Sequence, residues 1–275
     1  MTLEEIFGEK GLGSRRLKGY EPRPQQVQMA RAVERAIQEK SHLLVEAGTG
    51  VGKSLAYLIP FALWAIDEKE RAVVSTYTKA LQEQFVKKDL PFLKDILGVE
   101  LRFALCLGSD NYLCRRRLAQ VQQYGLFESR EELEELEKIL FWQGKTAQGL
   151  RTEMEFEPST RLWGKVCRES DLCLGKECAY IPECYYRQAR QRALDTHILV
   201  INHHLYFANL AAKGNVLPEF HALVFDEAHE LEDVATDYLG LKVSNFQLRY
   251  LLDSLLARRG NRGLLLQWSG AEEAK

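Results

Sequence analysis

The fold is decided by one stretch, Ala47-Gly48-Thr49-Gly50-Val51-Gly52-Lys53-Ser54. The apolar run before it, His42-Leu43-Leu44-Val45, predicts a strand, and the run after it, Leu55-Ala56-Tyr57-Leu58-Ile59, predicts the first turns of a helix. A glycine-rich loop between a strand and a helix is the context of a phosphate-binding loop. Ala47 stands where the strict pattern has glycine. The register of Gly-Lys-Ser with the flanking elements favours this interpretation over a turn that binds nothing.

Each position of the loop has an expected chemical role. The residues expected to point backbone N–H groups at the phosphates are Gly48, Thr49, Gly50 and Gly52. The N-terminus of the following helix adds the positive end of its dipole. Lys53 is expected to reach the β- and γ-phosphates, and the Ser54 hydroxyl is expected to bind Mg²⁺.

A second signal lies far along the chain. Asp226-Glu227 directly follows the apolar run Ala222-Leu223-Val224-Phe225, which predicts a buried strand. An acidic residue at a strand end holds Mg²⁺, and a neighbouring carboxylate polarises the attacking water. Asp226 is therefore the expected metal ligand, Glu227 the expected general base, and His229 a residue near the γ-phosphate. Alone, such a pair is a weak signal, and an acidic cap on the next helix is the more common interpretation. Together with the loop, it predicts Mg²⁺-dependent hydrolysis of ATP or GTP.

Strands and helices alternate through the rest of the core. Ala72–Thr76 and Thr196–Ile201 predict strands, and helices are expected from Gln25 to Gln38 and from Ala80 to about Leu90. An α/β fold with a parallel sheet follows from this alternation. Gln26, just before a helix, is a candidate for reading the adenine edge through its amide. Its alternative role is that of a solvated residue at a helix N-terminus.

Polar residues after the second strand suggest a nucleic-acid contact. In open α/β sheets, ligands bind at the carboxyl ends of the strands. The residues expected to grip a phosphodiester backbone there are Thr76, Thr78, Lys79 and Gln84. A helix cap formed by Thr78 is compatible with that role.

Composition limits the class of protein. At 275 residues and 46% hydrophobic residues, the chain can form one large domain or two smaller ones. The net charge of −2 gives no global signature of a nucleic-acid binder, although a local basic groove fits a neutral total. Apolar runs long enough to span a membrane and a secretory signal are both absent from the sequence, so we expect a cytoplasmic protein. Disulfides are then not expected.

All six cysteines fall between residues 101 and 192. Three of them, Cys173, Cys178 and Cys184, are closely grouped, with spacings wider than the paired units of zinc ribbons. No histidine lies in this segment, and an all-cysteine set suits a four-iron cluster with four thiolate ligands. Spacing leaves Cys114 and Cys167 open as the fourth ligand and is also compatible with zinc.

Basic and aromatic residues flank the cysteines. The arginines are Arg115, Arg116, Arg117, Arg187, Arg190 and Arg192, and the tyrosines are Tyr112, Tyr180, Tyr185 and Tyr186. The arginines would have to be gathered by the fold to meet phosphates. The tyrosines are equally suited to stacking on bases and to packing around the cluster.

Taken together, these motifs resemble the iron–sulfur superfamily-two helicases, the XPD/DinG family, and most closely the bacterial DinG branch. The matching stretches are Arg23-Pro24-Gln25-Gln26, Ala47 to Ser54, Ser75 to Thr78 with Leu81 and Gln84, Asn111 to Cys114, the Cys173/Cys178/Cys184 set, Asn202-His203-His204-Leu205 and Asp226-Glu227-Ala228-His229. Their order and context match over about residues 20–230. Only the loop is specific by itself, but the combination is highly specific.

The resemblance implies a domain order. A RecA-like domain of parallel sheet and helices is expected in two parts, residues 1–104 and 193–232. A mainly helical iron–sulfur domain, residues 105–192, is expected as an insertion between them. Residues 233–275 are expected to begin a helical arch domain. The resemblance also favours Cys114 as the fourth ligand of a [4Fe-4S] cluster, which leaves Cys106 and Cys167 spare.

The resemblance further implies an ATP-dependent DNA helicase that moves 5′ to 3′ on single-stranded DNA, with DNA junctions as further partners and DNA repair as the expected context. Family members carry a second RecA-like domain, which supplies arginines to the ATP site, and the sequence contains no segment of that kind. We therefore expect this chain, as a monomer, to bind nucleotide but to hydrolyse it poorly. An alternative is a cluster-bearing DNA-binding module that binds ATP without unwinding.

Overall fold

The computed structural model describes residues 2–8, 11–12, 23–48, 50–124 and 129–240, together with Leu248 and Leu252. Thr49 of the loop and most of the expected arch segment lie outside the described residues. The chain divides into two compact units, residues 1–231 and 232–275. Within the described part of the chain, no helix is both long and apolar enough to cross a membrane.

A parallel four-stranded sheet organises the first unit, in the order β2-β3-β1-β4. Its strands are β1 (Ala72–Thr76), β2 (Phe103–Leu105), β3 (Ile198–Asn202) and β4 (Ala222–Phe225). Val74 of β1 lies opposite Val200 on one side and Val224 on the other. The predicted α/β class with a parallel sheet is confirmed.

Helices of the first unit cover the sheet and extend the connections between its strands, and the last described helix belongs almost wholly to the second unit. The helices are α1 (Leu3–Phe7), α2 (Pro24–Gln38), α3 (Lys53–Asp67), α4 (Lys79–Gln84), α5 (Leu90–Leu97), α6 (Arg115–Tyr124), α7 (Arg130–Gln143), α8 (Thr160–Val166), α9 (Tyr185–Leu194), α10 (His203–Ala211) and α11 (Leu231–Leu239). A single π-helical turn, Phe85–Asp89, joins α4 to α5, so the helix expected from Ala80 to Leu90 is interrupted.

The alternation of strand side chains builds two cores, one on each face of the sheet. Ala72 and Val74 face one core together with Ala30 of α2 and Leu58 of α3. Val73 faces the other core, where Leu199, Ile201, Leu205 and Leu217 meet. Burial of these side chains fixes the strand register, because a shift by one residue would exchange the two faces.

The segment between β2 and β3 has a hydrophobic core of its own. Its buried side chains come from α6, α7, α8 and α9 and from the loops between them; among them are Leu118, Ile139, Leu162, Trp163 and Tyr185. Gly149 adopts a φ of +65°, and a Cβ there would lie 2.3 Å from the Tyr185 ring. This segment holds the six cysteines and is called the cysteine segment below.

One predicted strand is wrong. His42–Val45 has no regular secondary structure, and Leu44 is 91% exposed. A strand exists only where its backbone groups pair with a neighbour, and this stretch pairs with none of the described strands. β4, expected to be buried, is half-buried at the end of the sheet. β2 was not predicted, because its three residues are too short to show a period.

Candidate functional site

The parallel sheet brings the separated motifs to one edge. β1 ends at Thr76, β3 ends at Asn202, and β4 ends immediately before Asp226. Because all strands run in the same direction, these ends lie side by side. The backbone N–H of Asp226 donates to the Ser75 carbonyl oxygen at 2.8 Å, so the acidic pair is tied directly to β1.

The glycine-rich loop is braced by α2. Gly52 adopts a left-handed φ of 84° and precedes the first residue of α3. The Gln26 side-chain amide donates to the Gly52 carbonyl oxygen at 2.9 Å, and the Arg23 guanidinium donates to the Gly50 carbonyl oxygen. A Cβ on residue 52 would lie 2.3 Å from the Gln26 amide nitrogen. Gln26 is only 4% exposed, so here its amide supports the loop.

Lys53 lies across its own loop. Its Nζ donates to the Ala47 carbonyl oxygen at 3.2 Å. Gly48 and Gly50 are exposed to solvent on the same loop. An ammonium group held by one neutral carbonyl can be transferred to a phosphate, which is a stronger, charge-assisted partner.

Tyr57 connects the helix after the loop to Asp226, one of the side chains expected at the magnesium ion. Its hydroxyl donates to Asp226 Oδ2 at 3.1 Å, and it is only 3% exposed. Burial and the negative charge of Asp226 raise the pKa of Tyr57, while a hydrogen bond with the Ser54 side chain opposes that shift. Asp226, after β4, is therefore bonded to a side chain of α3, the helix that begins at Lys53 and Ser54.

Glu227 and His229 lie beside Asp226. The Glu227 backbone N–H donates to Asp226 Oδ1 at 3.2 Å, and Glu227 has a positive φ of 58°. That conformation is uncommon for a residue with a Cβ and stores strain. His229 Nε2 lies 3.6 Å from a Glu227 carboxylate oxygen and 3.5 Å from one of Glu230. Its side chain is 70% exposed, so it can respond to a ligand.

A further carboxylate approaches this edge from the π-helical turn. Asp89 accepts a hydrogen bond from the Gln84 side chain at 3.2 Å. Burial raises the pKa of Asp89, the Gln84 bond and Lys88 oppose the shift, and the charge of Asp226 adds to it. Single π turns within helices are frequent at functional sites, because they reposition a side chain.

The residues expected to contact nucleic acid differ in exposure. Thr78 and Lys79 are exposed, and the Thr78 hydroxyl accepts from the Leu81 N–H at 3.2 Å as the cap of α4. Thr76 is fully buried, because it lies within the sheet opposite Asn202 of β3. Its hydroxyl is not exposed in this structure, and its contact with DNA stays a prediction.

Four cysteines line one cavity of about 370 Å³ in the cysteine segment: Cys114, Cys173, Cys178 and Cys184. Cys167 is not among the lining residues; it is buried beside Arg117, which donates to its carbonyl oxygen at 2.6 Å. Among the described residues, no three cysteine, histidine or acidic side chains are grouped closely enough to hold a metal ion.

The electrostatic environment favours thiolate at Cys173. Partial burial alone raises the pKa of this thiol, but the Gly175 N–H and the Arg168 and Arg116 guanidinium groups lower it, and the net shift is downward. The Gly175 N–H donates to the Cys173 sulfur at 3.5 Å. Hydrogen bonds and nearby cations stabilise the deprotonated form that binds metals.

The arginines after Cys114 hold the cysteine segment together. Arg115 pairs with Glu183, Arg116 donates to the Leu172 carbonyl oxygen, and Arg117 donates to the Gly164 carbonyl oxygen at 2.7 Å. The tyrosines of this segment differ in exposure: Tyr112 and Tyr185 are buried, whereas Tyr180 is 39% exposed. Packing therefore accounts for most of these side chains.

Comparison with known proteins identifies the family. Residues 24–131 match the pattern of the family described as DEAD/DEAH box helicase. The chain is 39% identical over 251 residues to a Haemophilus influenzae protein named ATP-dependent DNA helicase YoaA, with 90% of this chain and 39% of that protein covered. It is 35% identical over 268 residues to the ATP-dependent helicase DinG of Mycobacterium tuberculosis, with 90% and 40% covered.

The chain belongs to the DEAD/DEAH box helicases of the DinG and YoaA type. It spans about two fifths of the length of these two relatives. A Bacillus subtilis relative named 3′-5′ exonuclease DinG is 31% identical over 265 residues, with 95% of this chain and 28% of that protein covered. The predicted resemblance to the DinG branch of these helicases is confirmed.

The motifs of this helicase family do not contain every polar residue at the site. Tyr57 lies one helical turn after Ser54 within an apolar run, where only the i, i+3 spacing places it on the face of Ser54. Asp89 gave no signal of a role, and His203 was recognised only as a member of the matching stretch Asn202 to Leu205. Asp89 depends on the π-helical turn, which sequence periodicity does not reveal.

Proposed function

We propose that this chain is the ATP-binding part of a DNA helicase that couples Mg²⁺-ATP hydrolysis to 5′-to-3′ movement on single-stranded DNA. The observation that carries the proposal is the hydrogen bond from the Tyr57 hydroxyl to Asp226 at 3.1 Å, because it ties Asp226 to the helix that begins at Lys53 and Ser54 beside the braced loop. Tyr57 and Asp226 are 169 positions apart in the sequence, and their contact supports an ATP site formed by both regions of the chain.

Different groups of the chain are proposed to bind the phosphates, the metal ion and the attacking water. The backbone N–H groups of the loop and the N-terminus of α3 receive the phosphates, and Lys53 leaves the Ala47 carbonyl to pair with their charge. Ser54 and Asp226 would hold Mg²⁺, and the bound ion would neutralise charge that develops on the phosphates. Glu227 accepts a proton from the attacking water. The exposed His229 lies beside Glu227 and is proposed to couple ATP hydrolysis to another part of the molecule.

DNA is proposed to bind at the same edge of the sheet. Thr78 and Lys79 are exposed immediately after β1 and offer a hydroxyl and an ammonium group to a phosphodiester. Such contacts position a strand without reading its sequence. Single-stranded DNA and DNA junctions are therefore the proposed partners, and this contact is proposed to be independent of base sequence.

The cysteine segment is proposed to hold a [4Fe-4S] cluster through Cys114, Cys173, Cys178 and Cys184. The fit rests on a shared cavity lined by all four sulfur-bearing residues and on the lowered pKa of Cys173. A bound cluster would supply four metal–thiolate bonds that cross-link α6 to the loops around Cys173 and Cys184. The arginines that already tie these loops to α6 support the same arrangement.

The chain alone is proposed to bind nucleotide but to hydrolyse it slowly, as a monomer in the cytoplasm. Arginines from a second RecA-like domain are expected to stabilise the transferring phosphoryl group, and such residues contribute large factors to turnover. DNA-stimulated hydrolysis by the isolated chain at the rate of a complete helicase would contradict this part of the proposal.

Strand unwinding by the full-length parent tests the proposed function. A duplex with a 5′ single-stranded tail should be unwound with ATP and Mg²⁺, a duplex with only a 3′ tail should not, and Lys53→Ala should abolish the reaction. If ATP binds but neither duplex is unwound, the chain serves a DNA-binding module and the helicase proposal is rejected.

A further inference from the structure

His203 is a fully buried side chain at the functional edge to which neither the nucleotide site nor the DNA contact assigns a role. It is the first residue of α10, directly after β3, and it is 0% exposed. The preceding residue, Asn202, caps the helix by accepting from the Leu205 N–H at 2.8 Å. Because Asn202 supplies the helix cap, the His203 side chain takes no part in capping and contacts the sheet instead.

One side of the imidazole is bonded to β1. Its Nδ1 lies 2.7 Å from the Ser75 hydroxyl oxygen, and Ser75 is also fully buried. Two residues later in the chain, the Tyr77 ring lies 6.3 Å from the His203 ring and is 40% exposed. The proposed DNA contacts, Thr78 and Lys79, follow immediately. Movement at this end of β1 would therefore act on the imidazole directly.

The other side of the imidazole faces β4 and the acidic pair. The ring meets Phe225 edge-on, with centroids 5.7 Å apart and an interplanar angle of 65°. Burial lowers the pKa of His203, while the backbone groups of Glu227 and Asp226 oppose that shift. One ring thus bridges three adjacent strands, and two of them lead into proposed ligand sites.

The imidazole is incompletely satisfied. Its buried Nε2 has no hydrogen-bond partner of good geometry among the described residues, although backbone groups of the acidic pair lie close enough to influence the ring. If Nδ1 accepts from the Ser75 hydroxyl, Nε2 carries the proton and needs an acceptor. A buried donor without one is costly.

The neighbouring backbone is strained at the same place. Glu227 has a positive φ of 58°. Such a conformation persists only where its surroundings hold it. Relief of both would require a second arrangement, in which the Glu227 backbone shifts so that its carbonyl oxygen accepts from Nε2. Coupling between sites requires an element with two discrete arrangements of this kind.

We propose that His203 is a positioning residue that couples the DNA-contacting end of β1 to the backbone of Asp226 and Glu227. DNA at Thr78 and Lys79 displaces Ser75 and the imidazole, which changes the position of the acidic pair, and Mg²⁺-ATP acts in the reverse direction. The inference rests on the proposed function, because it requires both ligands to bind this chain. It adds the residue through which each site influences the other.

The test is the coupling factor between the two ligands, measured on this chain at pH 8. It is the ratio of dissociation constants for a single-stranded oligonucleotide without and with Mg²⁺ and a non-hydrolysable ATP analogue. By linkage, the same factor must describe the effect of the oligonucleotide on the analogue. A structural role alone would weaken folding without changing this ratio.

Three variants separate coupling from stability. In the wild type we expect a factor of at least about five, at the lower end of allosteric coupling. His203→Phe keeps an aromatic ring against Phe225 but removes both nitrogens, and Ser75→Ala removes only the partner of Nδ1; both should bring the factor close to one. His197→Gln is the matched control, because His197 is a buried histidine at the opposite end of β3, and it should retain the wild-type factor.

The outcomes are distinct. A wild-type factor retained in His203→Phe overturns the inference, and if that variant does not fold, a factor retained in Ser75→Ala overturns it instead. A wild-type factor of one, with both ligands bound, overturns the inference and leaves the proposed function standing. Failure of the wild type to bind the analogue at all overturns both. Loss of the factor in both variants but not in His197→Gln supports the inference.

Discussion

At the scale of single residues, the proposed site contains groups that orient the side chains assigned to catalysis as well as those side chains themselves. Asp226 is held by the Tyr57 hydroxyl on one oxygen and by the Glu227 N–H on the other. Such donors fix a carboxylate before a ligand arrives, and this reduces the ordering that binding must supply. The two carboxylate oxygens of Asp226 are therefore positioned by different elements, α3 and the turn after β4.

Replacing Tyr57 by phenylalanine tests this orientation. Loss of a hydrogen bond to a charged group costs about 1.5–3 kcal/mol, so we expect Mg²⁺-ATP to bind about tenfold more weakly or worse, since about 1.4 kcal/mol corresponds to tenfold. Isothermal titration calorimetry measures the change. Tyr112→Phe removes another buried tyrosine hydroxyl, in the cysteine segment, and should leave the affinity unchanged. Equal affinities for Tyr57→Phe and the wild type would contradict the assigned role.

His197 gives a prediction for pH. Burial, followed by the charge of Arg102, lowers the pKa of His197, while Asp195 and Glu100 act in the opposite direction. Its Nδ1 accepts from the Arg102 N–H at 3.2 Å, and only the neutral ring can do so. For a histidine whose folded pKa is lowered, the stabilisation is complete above about pH 6.5 and is lost as pH falls below that value.

The measurement compares free energies of unfolding from urea titrations between pH 5 and 8. The wild type should lose stability relative to His197→Gln as pH falls, by less than the one-proton limit of about 1.4 kcal/mol per pH unit. Parallel pH dependences for the two proteins would show that His197 does not change protonation on unfolding.

At the scale of elements, α2 and the loop form one unit. The Gln26 amide and the Arg23 guanidinium both donate to loop carbonyls, and Gly52 allows the close approach. The loop was predicted from the sequence, because its glycines and Lys53 are a local pattern. The failure of the strand predicted at His42–Val45 has the opposite cause: pairing is a property of two segments, and one segment's apolar residues do not reveal it.

Gly52→Ala tests the close approach of α2 to the loop. A positive φ of 84° and a Cβ 2.3 Å from the Gln26 amide nitrogen both oppose alanine there. We expect a loss of at least about 1 kcal/mol in the free energy of unfolding, together with weaker nucleotide binding. Gly98→Ala is the matched control, because Gly98 has a φ of 63° with nothing within 4 Å of its Cβ position. It should carry the backbone penalty alone and bind nucleotide normally.

At the scale of the whole molecule, the sequence predicted the class of fold and the motifs at its functional edge, and it predicted them from different kinds of pattern. Buried strands such as Ala72–Thr76 are visible as apolar runs, and Asp226 is recognisable because it follows one. The contacts of Tyr57, Asp89 and His203 depend on which strands lie side by side. That order is a long-range property of the sheet and has no local signature.

The cysteine segment supplies the prediction at this scale. The protein purified without oxygen should contain about four iron atoms per chain, as a four-thiolate [4Fe-4S] site requires. Cys114→Ser should lose iron, because Cys114 lines the cavity with the other three cysteines, whereas Cys167→Ser should retain it. Iron and sulfide analysis with a visible absorption spectrum gives the answer. Zinc in place of iron, or iron loss in Cys167→Ser alone, would contradict the assignment.

The central claim is that Ala47–Ser54 and Asp226 form one Mg²⁺-ATP site, and calorimetric titration of this chain with ATP tests it most directly. Hydrogen bonds to charged groups contribute about 1.5–3 kcal/mol, so Lys53→Ala should weaken binding about tenfold or more. Lys79→Ala, which changes an exposed lysine outside the loop, should not. The wild-type affinity should also fall when Mg²⁺ is withheld, and Asp226→Asn should reduce that dependence. ATP binding that is unaffected by Lys53→Ala and by Mg²⁺ would contradict the account.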